Sequence, residues 1–304
     1  MMRGAARSEG WLPAEEGLRL HYQLCGSGSQ AVVVPLAVYL AGPLGPLADG
    51  QRLIFYDLRG RGRSDAVRDP ARIGITHDLT DVEAVRRHFG LERMALVGFS
   101  YVGAIAAVYA AEHPDRVSRL VALGAMAPSA ALGRSYNPPE KALRVRTPAA
   151  QEVARLLQSG ASKRDPEGFC RRFWRANAPV YVGDPALADR FPVDFCDLPN
   201  ERPEQLFAWY GHVDRSLGEW DFRDQAGSIT AEALVMHGDR DLIAPPEGAR
   251  VWAERMPNAR LMMFPGAGHA LYVEQPEPVL AAMRRFLDGE WPTGAIAVPA
   301  SPQP

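Results

Sequence analysis

The sequence has few cysteines, and they are widely spaced. Cys25, Cys170 and Cys196 are odd in number and form no Cys-x-x-Cys pair. This spacing argues against a disulfide framework and against a zinc site. We therefore expect free thiols in a reducing compartment and no bound metal.

Long hydrophobic runs are also absent. No uninterrupted apolar span approaches the roughly 18 residues that a transmembrane helix needs. The basic residues near the amino terminus are not followed by the apolar core of a secretory signal. We expect a soluble, cytoplasmic protein that does not act at a membrane.

The sequence also lacks an excess of charge of one sign. It has 34 basic and 36 acidic residues, a formal net charge of −2, so no summed field favours nucleic acid or an anionic surface. We expect a small-molecule substrate and no nucleic-acid partner. No pattern in the sequence indicates an oligomeric state.

The chain does have enough length and apolar content for a large core. Its 304 residues, 47% of them hydrophobic, allow one large α/β domain with an insertion, or two domains. Apolar runs predict buried strands, and 3.6-residue periodicity predicts helices between them. The strands are predicted at 18–24, 31–34, 53–56, 93–97, 117–123, 233–236 and 260–264, and the helices at 76–89, 104–111, 247–255 and 277–287.

This alternation predicts an α/β fold with a mostly parallel sheet and helices on both faces. It stops between 128 and 227, where helix-like segments are broken by prolines and rich in aromatic residues. We interpret 128–227 as an inserted helical cap whose aromatic side chains pack and could line a pocket. The core is then 1–127 and 228–290, and 291–304 is a flexible tail.

Ser100 lies between a predicted strand and a predicted helix, in the segment Gly98–Gly103, GFSYVG. A sharp turn there would expose its hydroxyl at the carboxyl edge of the sheet. A serine among glycines is also common in ordinary turns. The nucleophile interpretation therefore requires a base and an acid at neighbouring strand ends.

Two later loops supply those groups. Asp241 follows the strand at 233–236 in the segment HGDRDLIAP, and His269 follows the next strand in the segment GAGHALYVEQP. We predict His269 as the base and Asp241 as the acid that orients it. His237, directly after a strand, is predicted to be structural. The arginines of 57–65, DLRGRGRSD, are predicted to pair with Asp57 and Asp65 in a structural turn.

These motifs, in this order along nearly the whole chain, resemble the α/β-hydrolase fold superfamily, and the loop at 57–65 and the segment GEWDFRDQ are similar to its proline iminopeptidase-like branch. The resemblance implies an oxyanion hole, for which the Tyr101 and Val38 N–H groups are the candidates. Two departures stand out. Val102 stands where the family usually has a glycine two residues after the nucleophile, and Pro35, Leu36 and Ala37 replace the usual histidine–glycine segment.

The resemblance and the three site residues together predict a serine hydrolase that cleaves a carboxylic ester or amide through an acyl-enzyme, without a cofactor. An iminopeptidase would need a cap acid for a free amine, and Glu204, Glu219 and Asp221 are available. Two alternatives stay open: an acyltransferase or non-hydrolytic lyase or cyclase, and a ligand-binding protein with little turnover.

Overall fold

In the computed structural model, which describes residues 7–299, a single sheet of eight strands forms the centre of the molecule. The strands are β1 (Arg7–Pro13), β2 (Arg19–Cys25), β3 (Ala31–Pro35), β4 (Arg52–Tyr56), β5 (Met94–Phe99), β6 (Val117–Leu123), β7 (Glu232–Gly238) and β8 (Ala259–Phe264). All seven predicted strands are present within a few residues of their predicted bounds. β1 was not predicted, because Gly10 and Pro13 weaken its strand pattern.

The α-helices connect the strands and fill the long segment between β6 and β7. They are α1 (Ala37–Leu44), α2 (Ile75–His88), α3 (Tyr101–Glu112), α4 (Ala130–Ser135), α5 (Pro139–Val145), α6 (Pro148–Gln158), α7 (Ala161–Arg164), α8 (Pro166–Tyr181), α9 (Pro203–Leu217), α10 (Arg223–Ala226), α11 (Pro246–Arg255), α12 (Leu271–Glu274) and α13 (Pro276–Leu287). Short 3-10 segments lie at Glu15–Gly17, Gly45–Ala48, Pro70–Arg72, Pro185–Arg190 and Asp194–Asp197. The four predicted helices correspond to α2, α3, α11 and α13.

The sheet is mostly parallel, as predicted. Its order is β1-β2-β4-β3-β5-β6-β7-β8, with β3 to β8 parallel and β1 and β2 antiparallel. β2 and β3 follow each other closely in the sequence but are not neighbours in the sheet, because β4 lies between them. β2 pairs with β4 as an antiparallel strand, whereas β3 and β4 are parallel and need a helical crossover between them.

The strand order reverses at β3, and this positions the site. From β3 the chain crosses to β4 on one side and then returns to β5 on the other. Right-handed crossovers in opposite directions place α1 and α2 on opposite faces of the sheet. The carboxyl ends of β3 and β5 therefore border a crevice, the usual place for a ligand in such a sheet.

The centre of the sheet is closely packed. Every residue of β3 and β5 is buried, and so are nine consecutive residues of α3, from Val102 to Ala110. Strands covered on both faces lack alternation, which is why these segments are continuous apolar runs in the sequence. The helix after Ser100 is thus fixed between the sheet and its neighbours.

The segment between β6 and β7, residues 124–231, is called here the helical insertion and contains α4 to α10. It includes the predicted cap segment, 128–227. Cys170 on α8 and Cys196 in the following 3-10 segment form a disulfide, while Cys25 is buried. The expectation of free thiols is therefore wrong for Cys170 and Cys196, because the fold brings together two residues that are 26 positions apart.

The carboxyl-terminal segment is more ordered than expected. Ile296 and Leu261 on β8 form a two-way backbone bridge, with N–H···O distances of 2.8 and 2.9 Å. The Arg260 guanidinium lies 4.6 Å from the centre of the Trp291 ring. The prediction of a flexible tail is thus wrong for 291–296, and residues 300–304 of that tail lie outside the described residues.

Within residues 7–299, no helix has the length and apolar character needed to cross a bilayer.

Candidate active site

Ser100 occupies a strained turn between β5 and α3. Its backbone has φ 56° and ψ −125°, a combination that side-chain-bearing residues rarely adopt. A Cβ atom on Gly98 would lie 2.3 Å from the Val102 carbonyl oxygen, and one on Gly103 would lie 2.7 Å from the Ala125 Cβ. Gly98 and Gly103 thus allow the close approach that the turn needs, and Val102 is accommodated in the interior.

The structure brings the three predicted side chains together. The Ser100 Oγ lies 3.0 Å from the His269 Nε2, and the His269 Nδ1 lies 2.7 Å from the Asp241 Oδ2. Asp241 and His269 are buried, whereas Ser100 is partly exposed. A hydroxyl, an imidazole and a carboxylate therefore form one continuous chain of hydrogen bonds.

Asp241 is held as a carboxylate by its surroundings. Burial opposes its ionisation, but the charge interaction with His269 and hydrogen bonds from His237 and His269 outweigh it and hold the Asp241 pKa well below its usual range. Its Oδ1 accepts the N–H groups of Ile243 (2.7 Å) and Ala244 (2.9 Å). His237 is buried, with its Nε2 3.2 Å from the Asp241 Oδ2.

One of the two predicted oxyanion donors has another partner. The Val38 N–H donates to the Asp57 Oδ1 at 3.0 Å, so the prediction of this amide as an oxyanion donor is wrong. The preceding amide, of Ala37, begins α1, just as the Tyr101 amide begins α3. The first N–H of a helix has no acceptor within that helix. Leu36, in the left-handed conformation with φ 68°, makes the turn from β3 into α1.

A cavity of about 140 Å³ opens beside Ser100 and His269. A space of this size accommodates a single aromatic ring. Its remaining lining is aromatic or aliphatic apart from Arg61. The helical insertion contributes Trp174, Tyr181, Phe191, Trp209 and Tyr210, and the rest of the chain contributes Leu36, Tyr39, Phe99, Tyr101, Val102, Ile243 and Tyr272.

Arg61 is a buried cation in the wall of this cavity. It forms a bidentate ion pair with Glu201 of the helical insertion, with its Nε and Nη2 each 2.8 Å from a carboxylate oxygen. This ion pair was not predicted from the sequence, because the partner of Arg61 is 140 positions away. The position of Arg61 after β4, at the same sheet edge as Ser100, is the sequence feature that could have indicated its place in the cavity wall.

The loop at 57–65 is structural, but its partners differ from those predicted. Asp57 accepts the N–H groups of Val38 and Arg63, and Asp65 pairs with Arg19. Arg59 is buried and paired with Asp81 at 2.6 Å. The loop therefore uses partners from distant segments, which local spacing could not predict.

A buried acid lies behind the residue that follows Ser100. The Tyr101 hydroxyl donates to the Asp78 Oδ2 at 2.7 Å, and the Asp78 Oδ1 has no partner among the described residues. Burial raises the Asp78 pKa to about 7, against the hydrogen bond from Tyr101, which lowers it. Asp78 therefore titrates near neutral pH, in contact with a cavity-lining side chain.

The candidate amine-binding acids lie on the surface. Glu204, Glu219 and Asp221 have exposed side-chain fractions of 57%, 84% and 44% and pair with Lys163, Arg134 and Arg223. None of the three lines the cavity. Among residues 7–299, no cluster of three or more His, Cys, Asp or Glu side chains could hold a metal ion.

Comparison with known proteins agrees with this architecture. The family model described as the alpha/beta hydrolase fold matches residues 24–276. The chain belongs to the α/β-hydrolase family. The proline iminopeptidase of Lactobacillus helveticus is 24% identical over 90% of this hydrolase and 95% of the relative. The 2-hydroxymuconate semialdehyde hydrolase of Pseudomonas putida is 29% identical over 81% of the hydrolase and 83% of the relative.

A solved structure supports the same fold. The esterase EaEST from Exiguobacterium antarcticum superposes with a TM-score of 0.66 at 24% identity, covering 92% of the hydrolase and 99% of the esterase. The family resemblance predicted from the motifs is thus confirmed, and so is the predicted similarity to proline iminopeptidases. The protein is an enzyme of the α/β-hydrolase fold.

Proposed function

We propose that the protein is a serine hydrolase that cleaves small carboxylic esters with an apolar or aromatic group, through an acyl-enzyme. The observation that carries this proposal is the hydrogen-bonded series Ser100–His269–Asp241 in the wall of an apolar cavity. The names of the relatives, which include hydrolases of several substrate classes, support hydrolysis as the reaction.

In the proposed reaction the Ser100 Oγ attacks the acyl carbon while His269 Nε2 removes the hydroxyl proton. His269 then protonates the leaving alcohol, which leaves an acyl group on Ser100. Water attacks this acyl group as His269 takes its proton, and that proton goes to the Ser100 Oγ as the acid is released. Asp241 keeps the proton on His269 Nδ1 and stabilises the imidazolium.

The proposed oxyanion donors are the N–H groups of Tyr101 and Ala37. Both begin helices, so both carry the partial positive charge of a helix amino terminus. They lie after β5 and β3, the two strands that border the crevice. One such donor typically contributes about 2.7 to 4 kcal/mol of transition-state stabilisation.

An ester is favoured over an amino-terminal peptide by the charge of the cavity. A free amine needs a carboxylate nearby, yet the only charged lining groups in the described part of the chain are His269, when protonated, and Arg61. Glu201 is neutralised by Arg61, and a substrate ammonium would meet that arginine. We further propose that the helical insertion acts as a cap, because five of its aromatic side chains line the cavity.

A fluorophosphonate probe tests the covalent step. Intact-protein mass spectrometry should detect one probe on the wild type and none on Ser100→Ala. The wild type should also hydrolyse p-nitrophenyl acetate much faster than prolyl p-nitroanilide. An unlabelled wild type would rule out Ser100 as the nucleophile, and faster cleavage of the anilide would make the protein an iminopeptidase.

A further inference from the structure

Among the described residues, Arg61 is the one charged side chain in the wall of the cavity that has no part in the proposed reaction. It is 1% exposed and lies against three aromatic rings, with its Cζ 4.7 Å from the centre of the Trp209 ring, 5.3 Å from that of Tyr39 and 5.6 Å from that of Tyr210. Such rings favour a cation over their faces and hold the guanidinium in one orientation. Arg61 is therefore preorganised.

The hydrogen bonds of Arg61 to the described residues use two of its three nitrogens. Nε and Nη2 bind Glu201, and Nη2 also donates to the Tyr39 hydroxyl at 2.8 Å. Nη1 has no acceptor among residues 7–299, and it is not one of the fully enclosed polar atoms that lack a partner. Because Arg61 lines the cavity, Nη1 is the donor available to a molecule bound there.

A second donor lies beside it. The hydroxyls of Tyr39 and Tyr210 interact with each other. Burial raises the Tyr39 pKa well above its usual value, Tyr210 raises it further, and the positive charge of Arg61 opposes the increase. The Tyr39 hydroxyl therefore stays protonated. Because the Tyr39 oxygen accepts from the Arg61 Nη2, its own O–H is a second donor next to the Arg61 Nη1.

We propose that Arg61 and the two neighbouring hydroxyls form a substrate-binding site, the Arg61 site (Arg61, Tyr39 and Tyr210), which recognises an uncharged oxygen acceptor on a ring-sized substrate group. The substrate class is thus an ester whose aromatic part carries a carbonyl or similar oxygen. This inference rests on the proposed ester hydrolysis, because it concerns the same cavity.

The charge balance of the site selects an uncharged acceptor. Arg61 and Glu201 already form a neutral, desolvated pair, so a substrate carboxylate would place a second negative charge near Glu201 in an apolar wall. Taking that carboxylate out of water costs several kcal/mol without a free counter-charge. A carbonyl oxygen accepts the same hydrogen bonds without this cost.

A purely structural ion pair would not need this arrangement. Replacing a buried ion pair with well-packed apolar residues is often neutral or stabilising. Joining the helical insertion to the loop after β4 therefore does not by itself require Arg61. A binding function also accounts for the donor that remains unpaired at the cavity.

The test is binding of three aromatic ligands with equal numbers of heavy atoms: acetophenone, isopropylbenzene and benzoate. The host is Ser100→Ala, which cannot form a hemiketal with the ketone, and dissociation constants come from NMR titration. Acetophenone should bind about tenfold more tightly than isopropylbenzene, as expected for a hydrogen bond to a charged donor. Acetophenone should also bind at least about tenfold more tightly than benzoate.

Variants in the same background locate the acceptor site. Tyr39→Phe should reduce the preference for acetophenone several-fold. The double variant Arg61→Gln/Glu201→Gln, which leaves no unpaired buried charge, should abolish it. Tyr22→Phe, the matched control on β2 and outside the cavity wall, should leave it unchanged.

Three results would overturn the proposal: equal binding of acetophenone and isopropylbenzene, tighter binding of benzoate, or a preference that survives in the double variant. The last result would place the ketone at the Tyr101 and Ala37 amides instead. Because no step of this experiment uses Ser100, its outcome is independent of probe labelling, and either proposal can fail alone.

Discussion

At the scale of single residues, the site depends on how Asp241 is surrounded. Two backbone N–H groups fix its Oδ1, and two histidines contact its Oδ2. This arrangement fixes the carboxylate plane and directs His269 toward Ser100. An uncharged amide of the same shape would keep the geometry but lose the charge that stabilises the imidazolium.

Asp241→Asn should therefore lower kcat for p-nitrophenyl acetate by about 10⁴-fold, with little change in fold. Asp239→Asn is the matched control, because Asp239 lies in the same loop and, in the part of the chain that the structure describes, its carboxylate accepts only the exposed Gly266 N–H. The measurement is steady-state hydrolysis of both variants. A loss of less than tenfold in Asp241→Asn would contradict the orienting function of Asp241.

Asp78 links stability to pH. The unfolded chain releases the Asp78 proton near its ordinary pKa of 3.8, whereas the folded protein holds it to about 7. The wild type should therefore lose stability relative to Asp78→Asn as pH rises between these values, by up to about 1.4 kcal/mol per pH unit, and no further above pH 7. Urea unfolding at pH 4, 5.5, 7 and 8 measures the difference, and parallel curves for the two proteins would contradict it.

These residues also mark what sequence can predict about the site. Ser100, Asp241 and His269 could be located because each follows a buried strand, and the ends of parallel strands meet at one edge. The oxyanion donor was misassigned because the choice between Val38 and Ala37 depends on which amide Asp57 binds. The ion pair of Arg61 was not predicted because its partner, Glu201, is 140 positions away in the helical insertion.

At the scale of elements, the helical insertion is the part whose internal structure sequence predicted least. Its proline-rich pattern predicted helices but neither their number nor their contacts, because short helices there depend on tertiary packing more than on periodicity. The Cys170–Cys196 disulfide connects α8, which contributes Trp174 to the cavity, with the segment that follows Phe191. The cavity wall is therefore covalently fixed.

Removing this disulfide should destabilise the protein. For cysteines 26 positions apart, Cys170→Ala/Cys196→Ala should lower the free energy of unfolding by about 3 to 4 kcal/mol. Urea unfolding with and without reductant measures this. Reductant should affect the wild type and not the double variant, and an equal effect on both would contradict the assignment.

At the scale of the whole molecule, the Arg61–Glu201 ion pair joins the helical insertion to the sheet. Both side chains are buried, so Glu201→Gln leaves a buried guanidinium without its counter-charge and should cost about 3 to 5 kcal/mol. Glu204→Gln is the control, because Glu204 is an exposed acid at the start of α9 and its loss should cost less than about 1 kcal/mol. Equal unfolding midpoints for the two variants would show that Glu201 is not the counter-charge of a buried Arg61.

The bridge between Ile296 and β8 has a consequence for solubility. β8 is the last strand of the sheet, and an uncovered edge strand presents unpaired N–H and C=O groups to other chains. Ile296 occupies two of those groups on Leu261. Deleting residues 291–304 should therefore leave the hydrolase folded but prone to edge-to-edge association, detectable as a concentration-dependent rise in mass by light scattering. The carboxyl-terminal segment would then protect the β8 edge from pairing with other chains.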